Sequence, residues 1–343
     1  MTGAPVKQLA LPGLDVPADG DVASGEVEWV WTDDPLEDAL PQEFEHTTVM
    51  LREVCDALAP DSGGLFVDAT LGGGGHTRAL LERSPDVRVI AFDRDDVALD
   101  AARRSLASFG DRVTLVKTTF GRVREALTEL GVGRVQGLCA DLGVSSPQLD
   151  EAARGMSFRR EGPIDMRMDQ TSGATALDVI AELSDEELAD VIFRYGDERR
   201  SRRIARSVKR AHDAGELVTT LDLRRAIVRA VGPARVGGVD PATRTFQALR
   251  IKVNEELREL ESLLAALPDV LEIGGTAAVL SFHSHEDRLV KRAFIGGPLS
   301  ALTKRPSMAG DEECLSNPRS RSAKLRAARL VPDEGAPPDR SQP

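Results

Sequence analysis

A glycine-rich segment between a predicted strand and a predicted helix constrains the fold of this chain most strongly. The segment, residues 68–76, reads Asp-Ala-Thr-Leu-Gly-Gly-Gly-Gly-His, and it joins an apolar run at 65–70 to a helical pattern through 78–83. Further apolar runs with the length of buried strands occur at 87–93, 113–118 and 135–142. Strands that alternate with helices form right-handed crossovers, so we predict an α/β protein with a mainly parallel sheet and helices on both faces.

The alternation stops after the fourth strand. Residues 155–245 contain no convincing buried strand, but apolar residues repeat with helical spacing at 178–195, 199–214 and 220–231. Strand character returns at 276–282, followed by a helix at 285–294 and a strand at 324–331. We predict five segments: a disordered acidic arm (1–44), the first part of the sheet domain (45–154), a helical insertion (155–245), the second part of the sheet domain (246–332) and a disordered tail (333–343).

The charge of the chain is concentrated at its N-terminus. The chain has 44 basic and 56 acidic residues, a net charge of −12, and residues 1–45 hold 11 of the acids and one Lys. The remainder is nearly neutral at −2 and can carry basic patches. The chain has no secretory signal pattern and no run of about 18 apolar residues, so we expect a cytosolic protein that does not bind a membrane.

The cysteines exclude a disulfide framework. Cys55, Cys139 and Cys314 lie far apart without a CxxC pair, which also argues against a cysteine zinc site. No metal is therefore expected.

The glycine-rich segment predicts a nucleoside cofactor. Glycines allow a tight turn, the following helix offers free N–H groups, and Asp93 ends the next strand where it can accept hydrogen bonds from ribose hydroxyls. These features fit either a dinucleotide or S-adenosylmethionine. Thr77 stands where the dinucleotide pattern has Gly or Ala, which favours S-adenosylmethionine.

A second polar loop follows the fourth strand. Residues 141–148 read Asp-Leu-Gly-Val-Ser-Ser-Pro-Gln, and in open α/β sheets ligands bind beyond such strand ends. The loop can present acceptors to an amino group such as the exocyclic amine of cytosine, or it can be an ordinary turn. The residues alone leave both readings open.

Basic residues favour a nucleic-acid substrate. Residues 194–210 hold eight basic and two acidic residues, and residues 316–330 hold five basic and no acidic residues. His283 lies at a predicted strand end, where it can meet a substrate base. The candidate phosphate contacts are Arg199, Arg202, Arg203, Arg244, Arg250, Arg319 and Arg321.

Several motifs together resemble the RsmH (MraW) family. They occur in order at 46–51, 72–77, 141–150, 162–168, 242–250, 281–284 and 317–326. The resemblance implies a class I, Rossmann-like methyltransferase with a seven-stranded sheet and a helical insertion. It also implies methylation of the exocyclic N4 of a cytidine at the decoding centre of small-subunit (16S) ribosomal RNA, with S-adenosylmethionine as cofactor and the small ribosomal subunit as partner.

The resemblance also assigns site residues. The cofactor would be bound by Gly74, Gly75, His76, Asp93, Phe120, Asp141 and Gln148. The residues left nearest the target amine are Ser145, Ser146 and Pro147, with His283 as a further catalytic candidate. The family usually has Leu where this chain has His285, and the arm before His46 is longer than the family requires.

Three other functions remain open from the sequence. They are a small-molecule or protein methyltransferase with the same cofactor fold, an NAD-dependent dehydrogenase, and a non-catalytic RNA-binding factor. The sequence also leaves open whether the protein forms a homodimer.

Overall fold

A computed structural model describes residues 48–233, 239–295 and 297–332, without the side chains of Ser146 and Pro147. The predicted acidic arm and the predicted C-terminal tail lie outside the described residues. Within the described part of the chain, no helix combines the length and the apolar character needed to cross a bilayer.

The core of the fold is one mixed sheet. Its strands are β1 (Gly64–Asp68), β2 (Val87–Asp93), β3 (Val113–Lys117), β4 (Val135–Asp141), β5 (Leu271–Ser281), β6 (Leu299–Ala301), β7 (Ser307–Met308) and β8 (Lys324–Leu330). The order is β3-β2-β1-β4-β5-β8-β6, and the two-residue β7 pairs with β8 in addition. Strands β1 to β5 pair in parallel, whereas β8 is antiparallel to its neighbours. This order confirms the predicted class I methyltransferase fold, with one short strand more than expected.

Helices cover both faces of the sheet because each face is apolar. One face packs against α1 (Leu51–Leu58), α2 (Gly75–Arg83) and α3 (Asp96–Ser105). The other packs against α4 (Val123–Glu129), α11 (Glu256–Val270) and α12 (Ser284–Ala293). Two short helices complete this part, α5 (Ser146–Asp150) and α13 (Asp311–Ser316).

A helical layer with its own apolar cluster lies between β4 and β5 in the chain. It comprises α6 (Ala176–Glu182), α7 (Asp185–Gly196), α8 (Ser201–Asp213), α9 (Thr220–Val231) and α10 (Thr243–Asn254). The helix predicted at 178–195 divides in two because Ser184 caps α7 in a reciprocal capping box with Glu187. The predicted domain boundary at 245 falls inside α10, whose Phe246 and Leu249 belong to the apolar cluster of this layer.

Candidate active site

The carboxyl ends of three neighbouring parallel strands each carry an aspartate. Asp68 ends β1, Asp93 ends β2 and Asp141 ends β4. Asp68 is 1% exposed; it accepts hydrogen bonds from the Thr70 N–H (3.2 Å) and from the Thr77 hydroxyl (2.7 Å). Asp68 therefore fixes both ends of the glycine-rich loop.

The loop itself requires glycine at its turns. Gly72 and Gly74 have φ values of 49° and 77°, in the left-handed region that favours glycine. A Cβ atom on Gly75 would overlap the Thr48 hydroxyl. His76 is buried, with its Nε2 atom 3.2 Å from the Val49 carbonyl oxygen. The predicted residues Gly75 and His76 therefore pack closely against the segment that precedes α1, whereas Gly74 lies against Leu106.

Asp93 has the geometry of a hydroxyl acceptor. Its Oδ2 accepts a hydrogen bond from the Gly72 N–H and its Oδ1 accepts one from the Asp95 N–H, both at 2.9 Å. Burial raises the pKa of Asp93 to about 6, although these two N–H groups favour the ionised form. A carboxylate oxygen has two lone pairs, so each oxygen can accept one further hydrogen bond.

Asp141 is the most perturbed acid described at these strand ends. Its backbone N–H donates to the Thr70 hydroxyl (2.6 Å), and its Oδ1 is buried with no hydrogen-bond partner in the described structure. Burial, reinforced by the negative charges of Asp68 and Glu286, raises the pKa of Asp141 to about 8. Thr119 also has a buried hydroxyl oxygen without a described partner. Because buried polar atoms are normally hydrogen-bonded, both atoms lack a partner that a polar ligand would supply.

The loop after β4 is connected to the loop after β2. The Ser145 N–H donates to Gln148 Oε1 (3.1 Å), and Gln148 Nε2 donates to Asp95 Oδ2 (2.9 Å). The structure thus brings Gln148 close to the Asp93 strand end, as expected for residues of one pocket. Ser146 and Pro147 begin α5, but their side chains lie outside the described ones. Phe120 begins a helical turn after β3, where it is half-buried against the core.

His283 caps α12. Its Nδ1 accepts a hydrogen bond from the Glu286 N–H (3.4 Å), its Nε2 lies 3.1 Å from Glu286 Oε1, and the side chain is 10% exposed. Both ring nitrogens therefore face Glu286. This gives His283 a structural role, and its catalytic role stays a prediction.

A buried ion pair adjoins His283. Glu256, His283 and Glu286 bring three possible metal-ligand atoms within 4.8 Å of one another. However, the Arg250 guanidinium donates to both carboxylate oxygens of Glu256 at 2.8 Å, and the Arg250 side chain is 15% exposed. Arg250 therefore differs from the expected phosphate contact, because it neutralises a buried carboxylate.

The other predicted arginines lie nearer the surface. Arg199, Arg202 and Arg203 are exposed and have no ion-pair partner in the described part of the chain. Arg244 is exposed and donates to the Asp197 carbonyl oxygen (3.3 Å). Arg319 contacts the Asp150 carboxylate (3.2 Å), and exposed Arg321 donates to the Cys314 carbonyl oxygen (3.2 Å).

Comparison with known proteins agrees with these motifs. A sequence profile described as the MraW methylase family matches residues 43–331. Proteins named ribosomal RNA small subunit methyltransferase H are similar in Sorangium cellulosum (62% identity, 85% of this chain and 92% of that protein) and in Synechococcus elongatus (49% identity, 85% and 97%). A solved rRNA methylase from Streptococcus thermophilus is only distantly similar, with a TM-score of 0.39 and 12% identity over 82% of this chain and 94% of that one. The fold is therefore assigned from the strand order and not from this similarity. The chain belongs to the MraW methylase family.

Proposed function

We propose that this methylase transfers a methyl group from S-adenosylmethionine to the exocyclic N4 of a cytidine in small-subunit (16S) ribosomal RNA, at the decoding centre. The observation that carries the proposal is the buried Oδ1 of Asp141, which has no hydrogen-bond partner among the described residues. It lies at the end of β4, immediately before the polar loop that contains Ser145 and Gln148. The names of the relatives support the ribosomal substrate.

The residues at the strand ends fit the proposed cofactor. Asp93 retains acceptor capacity for ribose hydroxyls, and the orphaned oxygens of Asp141 and Thr119 lack described partners. We assign cofactor binding to Gly74, Gly75, His76, Asp93, Phe120, Asp141 and Gln148. When bound, S-adenosylmethionine supplies an electrophilic methyl group that passes to the N4 lone pair as the carbon–sulfur bond breaks and the amine releases a proton.

The loop after β4 orients the target amine in this proposal. Ser145, Ser146 and Pro147 follow Asp141 closely in the chain, and Gln148 fixes the Ser145 backbone. The amine nitrogen of cytosine is a weak nucleophile because its lone pair is delocalised into the ring. Acceptors that orient its N–H bonds therefore supply most of the catalysis through positioning and electrostatics.

The RNA contacts are assigned to exposed arginines. Arg202 and Arg203 lie in the first turn of α8 and Arg199 precedes the helix. Their guanidinium groups have no ion-pair partner among the described residues and can bind phosphates. The target must be single-stranded or opened, because a paired and stacked amine cannot approach the donor in line. The proposed substrate makes this a cytoplasmic protein of ribosome assembly.

Methyl transfer from labelled S-adenosylmethionine tests the proposal. The acceptors are small ribosomal subunits, naked ribosomal RNA and a protein extract, and the products are analysed by nucleoside mass spectrometry. We expect N4-methylcytidine from the subunits with the wild-type protein and none with Asp141→Ala. As a control, Asp56→Ala changes an exposed acid of α1 and should retain activity. Label in protein alone would overturn the RNA substrate, and a different methylated nucleoside would overturn the N4 assignment.

The alternative functions make different predictions. Family membership excludes the dehydrogenase. For a small-molecule or protein methyltransferase, charge reversal at Arg199, Arg202 and Arg203 would leave activity unchanged. For a non-catalytic RNA-binding factor, RNA binding would occur without turnover.

A further inference from the structure

A buried carboxylate bridges the loops that follow β2 and β4. Asp95 is 5% exposed, and its Oδ2 accepts hydrogen bonds from Gln148 Nε2 (2.9 Å) and Arg154 Nη2 (2.8 Å). Its Oδ1 accepts from the Val97 N–H (3.1 Å) and from Arg154 Nη1 (3.4 Å). Asp95 therefore holds both the loop of the proposed target amine and the start of α3.

Arg154 continues the bridge towards the helical layer. It is 3% exposed, and its Nη2 also donates to the Met168 carbonyl oxygen at 2.6 Å. A buried pair of this kind stabilises a fold little compared with apolar residues of the same volume, because desolvation offsets the attraction. In this structure the pair joins the loop after β2 to the Met168 carbonyl group.

The last helix of the helical layer, α10, is hydrogen-bonded to the segment of Met166 and Met168, which Arg154 also contacts. Asn254 closes α10 and is 5% exposed; it accepts from the Met168 N–H (2.7 Å) and donates to the Met166 carbonyl oxygen (2.8 Å). Its own carbonyl oxygen accepts from Arg94 Nη1 (3.1 Å). Both ends of the layer thus connect to residues directly after Asp93.

The directions of the hydrogen bonds mean that replacing one carboxylate oxygen of Asp95 by an NH₂ group disrupts the contacts with Gln148 and Arg154. An Asp95 carboxylate only accepts, and the Ser145 N–H only donates, so the Gln148 amide between them has one orientation. An amide at position 95 places its NH₂ group either at the Oδ2 position, facing Gln148 Nε2 and Arg154 Nη2, or at the Oδ1 position, facing the Val97 N–H and Arg154 Nη1. Donors therefore face donors in both orientations, and in the first one Gln148 must also flip, which turns a donor towards the Ser145 N–H.

We propose that Asp95 and Arg154 are positioning residues for methyl transfer, which fix the loop of Ser145 and Gln148 against the strand end of Asp93. The inference rests on the proposed function, since it assigns the target amine to that loop. Loss of the bridge misplaces the loop without removing a group that touches the cofactor or the RNA. Small misplacements of reacting groups are enough to cost about 100-fold in rate.

Steady-state kinetics of three variants test this role. Asp95→Asn removes the acceptor, and Arg154→Lys keeps the charge but loses the forked contact with Asp95 and Met168. Asp240→Asn is the matched control. Like Asp95, Asp240 accepts hydrogen bonds from an arginine (Arg224 Nη2, 2.8 Å) and from the N–H two residues later in the chain (Ala242, 2.9 Å), but it joins only residues of the helical layer. For each protein we would measure kcat, KM for the small subunit, the Kd of S-adenosylmethionine and Tm.

We expect Asp95→Asn to lower kcat by about 10–100-fold, with the subunit KM within about threefold of wild type and a smaller rise in the cofactor Kd, because Gln148 also belongs to the proposed cofactor site. Arg154→Lys should lower kcat by a smaller factor, and Asp240→Asn should retain the wild-type kcat. Asp95→Glu, which keeps an acceptor-only group, should recover part of the loss. If Asp95→Asn does not fold, Arg154→Lys alone tests the positioning role: a reduced kcat supports it and a wild-type kcat refutes it.

Each contrary result is distinct. A wild-type kcat in Asp95→Asn or in Arg154→Lys would overturn the positioning role alone. A lower Tm with an unchanged kcat, or an equal loss of kcat in Asp240→Asn, would indicate a merely structural pair. Absence of N4-methylcytidine with the wild-type protein would instead refute the proposed function, and the inference with it.

Discussion

Replacement of Asp141 by Asn should change how stability depends on pH. The folded protein raises the pKa of Asp141 from 3.8 to about 8, first by burial and then through the negative charges of Asp68 and Glu286. The folded state therefore holds a proton that the unfolded state has released between about pH 4 and pH 8. Stability is lost as the pH rises through this range, and Asn, which does not titrate, removes this loss.

The magnitude follows from the size of the pKa change. Each pH unit within the window costs about 1.4 kcal/mol, so the upper bound between pH 5 and pH 8 is about 4 kcal/mol. Water that reaches the carboxylate reduces the penalty, and we expect a difference of about 2 kcal/mol. Asp93, whose pKa is raised to about 6, contributes with the same sign but is present in both proteins.

Urea unfolding of both proteins at pH 5 and at pH 8, without cofactor, measures the effect. The free energy of unfolding of Asp141→Asn should exceed that of wild type by about 2 kcal/mol more at pH 8 than at pH 5. Above pH 8, where Asp141 is ionised and both of its oxygens accept, the same variant should bind S-adenosylmethionine about 10-fold more weakly, because an amide has only one acceptor oxygen. Parallel stability curves for the two proteins would refute the assignment of a buried, protonated Asp141.

Three further substitutions test separate parts of the structure. Gly75→Ala should lower stability by about 1–3 kcal/mol and weaken cofactor binding in a titration, because the new methyl group overlaps Thr48. Arg250→Met should destabilise the protein by about 3–5 kcal/mol in urea unfolding, since it leaves the buried Glu256 carboxylate unpaired. Arg203→Glu should change stability by less than about 0.5 kcal/mol but weaken RNA binding and reduce its salt dependence, which a binding titration at several salt concentrations measures.

The strands were predictable where they are buried on both sides. Strand β2 has the predicted bounds, Val87–Asp93, because inner parallel strands read as continuous apolar runs. Strand β5 begins at Leu271, five residues before the predicted start. The prediction missed this first part because it contains Glu272, two glycines and the exposed Ile273, and therefore does not read as a buried apolar run. The boundary between α6 and α7 had a visible signal, the Ser184 and Glu187 capping box, which helical periodicity alone does not reveal.

The site was predictable where its residues follow strands directly. Asp93 and Asp141 end β2 and β4, and parallel topology brings such ends together. The partnership of Asp95 with Arg154 was not predictable, because 59 positions separate the two residues and arginine is normally a surface residue. The sequence does carry a weaker signal at Asp95, which stands at the N-cap of a helix that begins just after a strand.

Charge composition alone would misjudge the proposed RNA surface. The chain beyond residue 45 is nearly neutral, yet its arginines are not equivalent once it has folded. Arg250 forms an ion pair with a buried carboxylate, and Arg200 contacts Glu198 at 3.5 Å. Arg199 and Arg203, in contrast, have no ion-pair partner in the described part of the chain. Counterion release depends on the phosphates that free cations neutralise, not on the net charge of the protein. An acidic protein can therefore bind RNA with strong salt dependence, because folding decides which arginines remain free to do so.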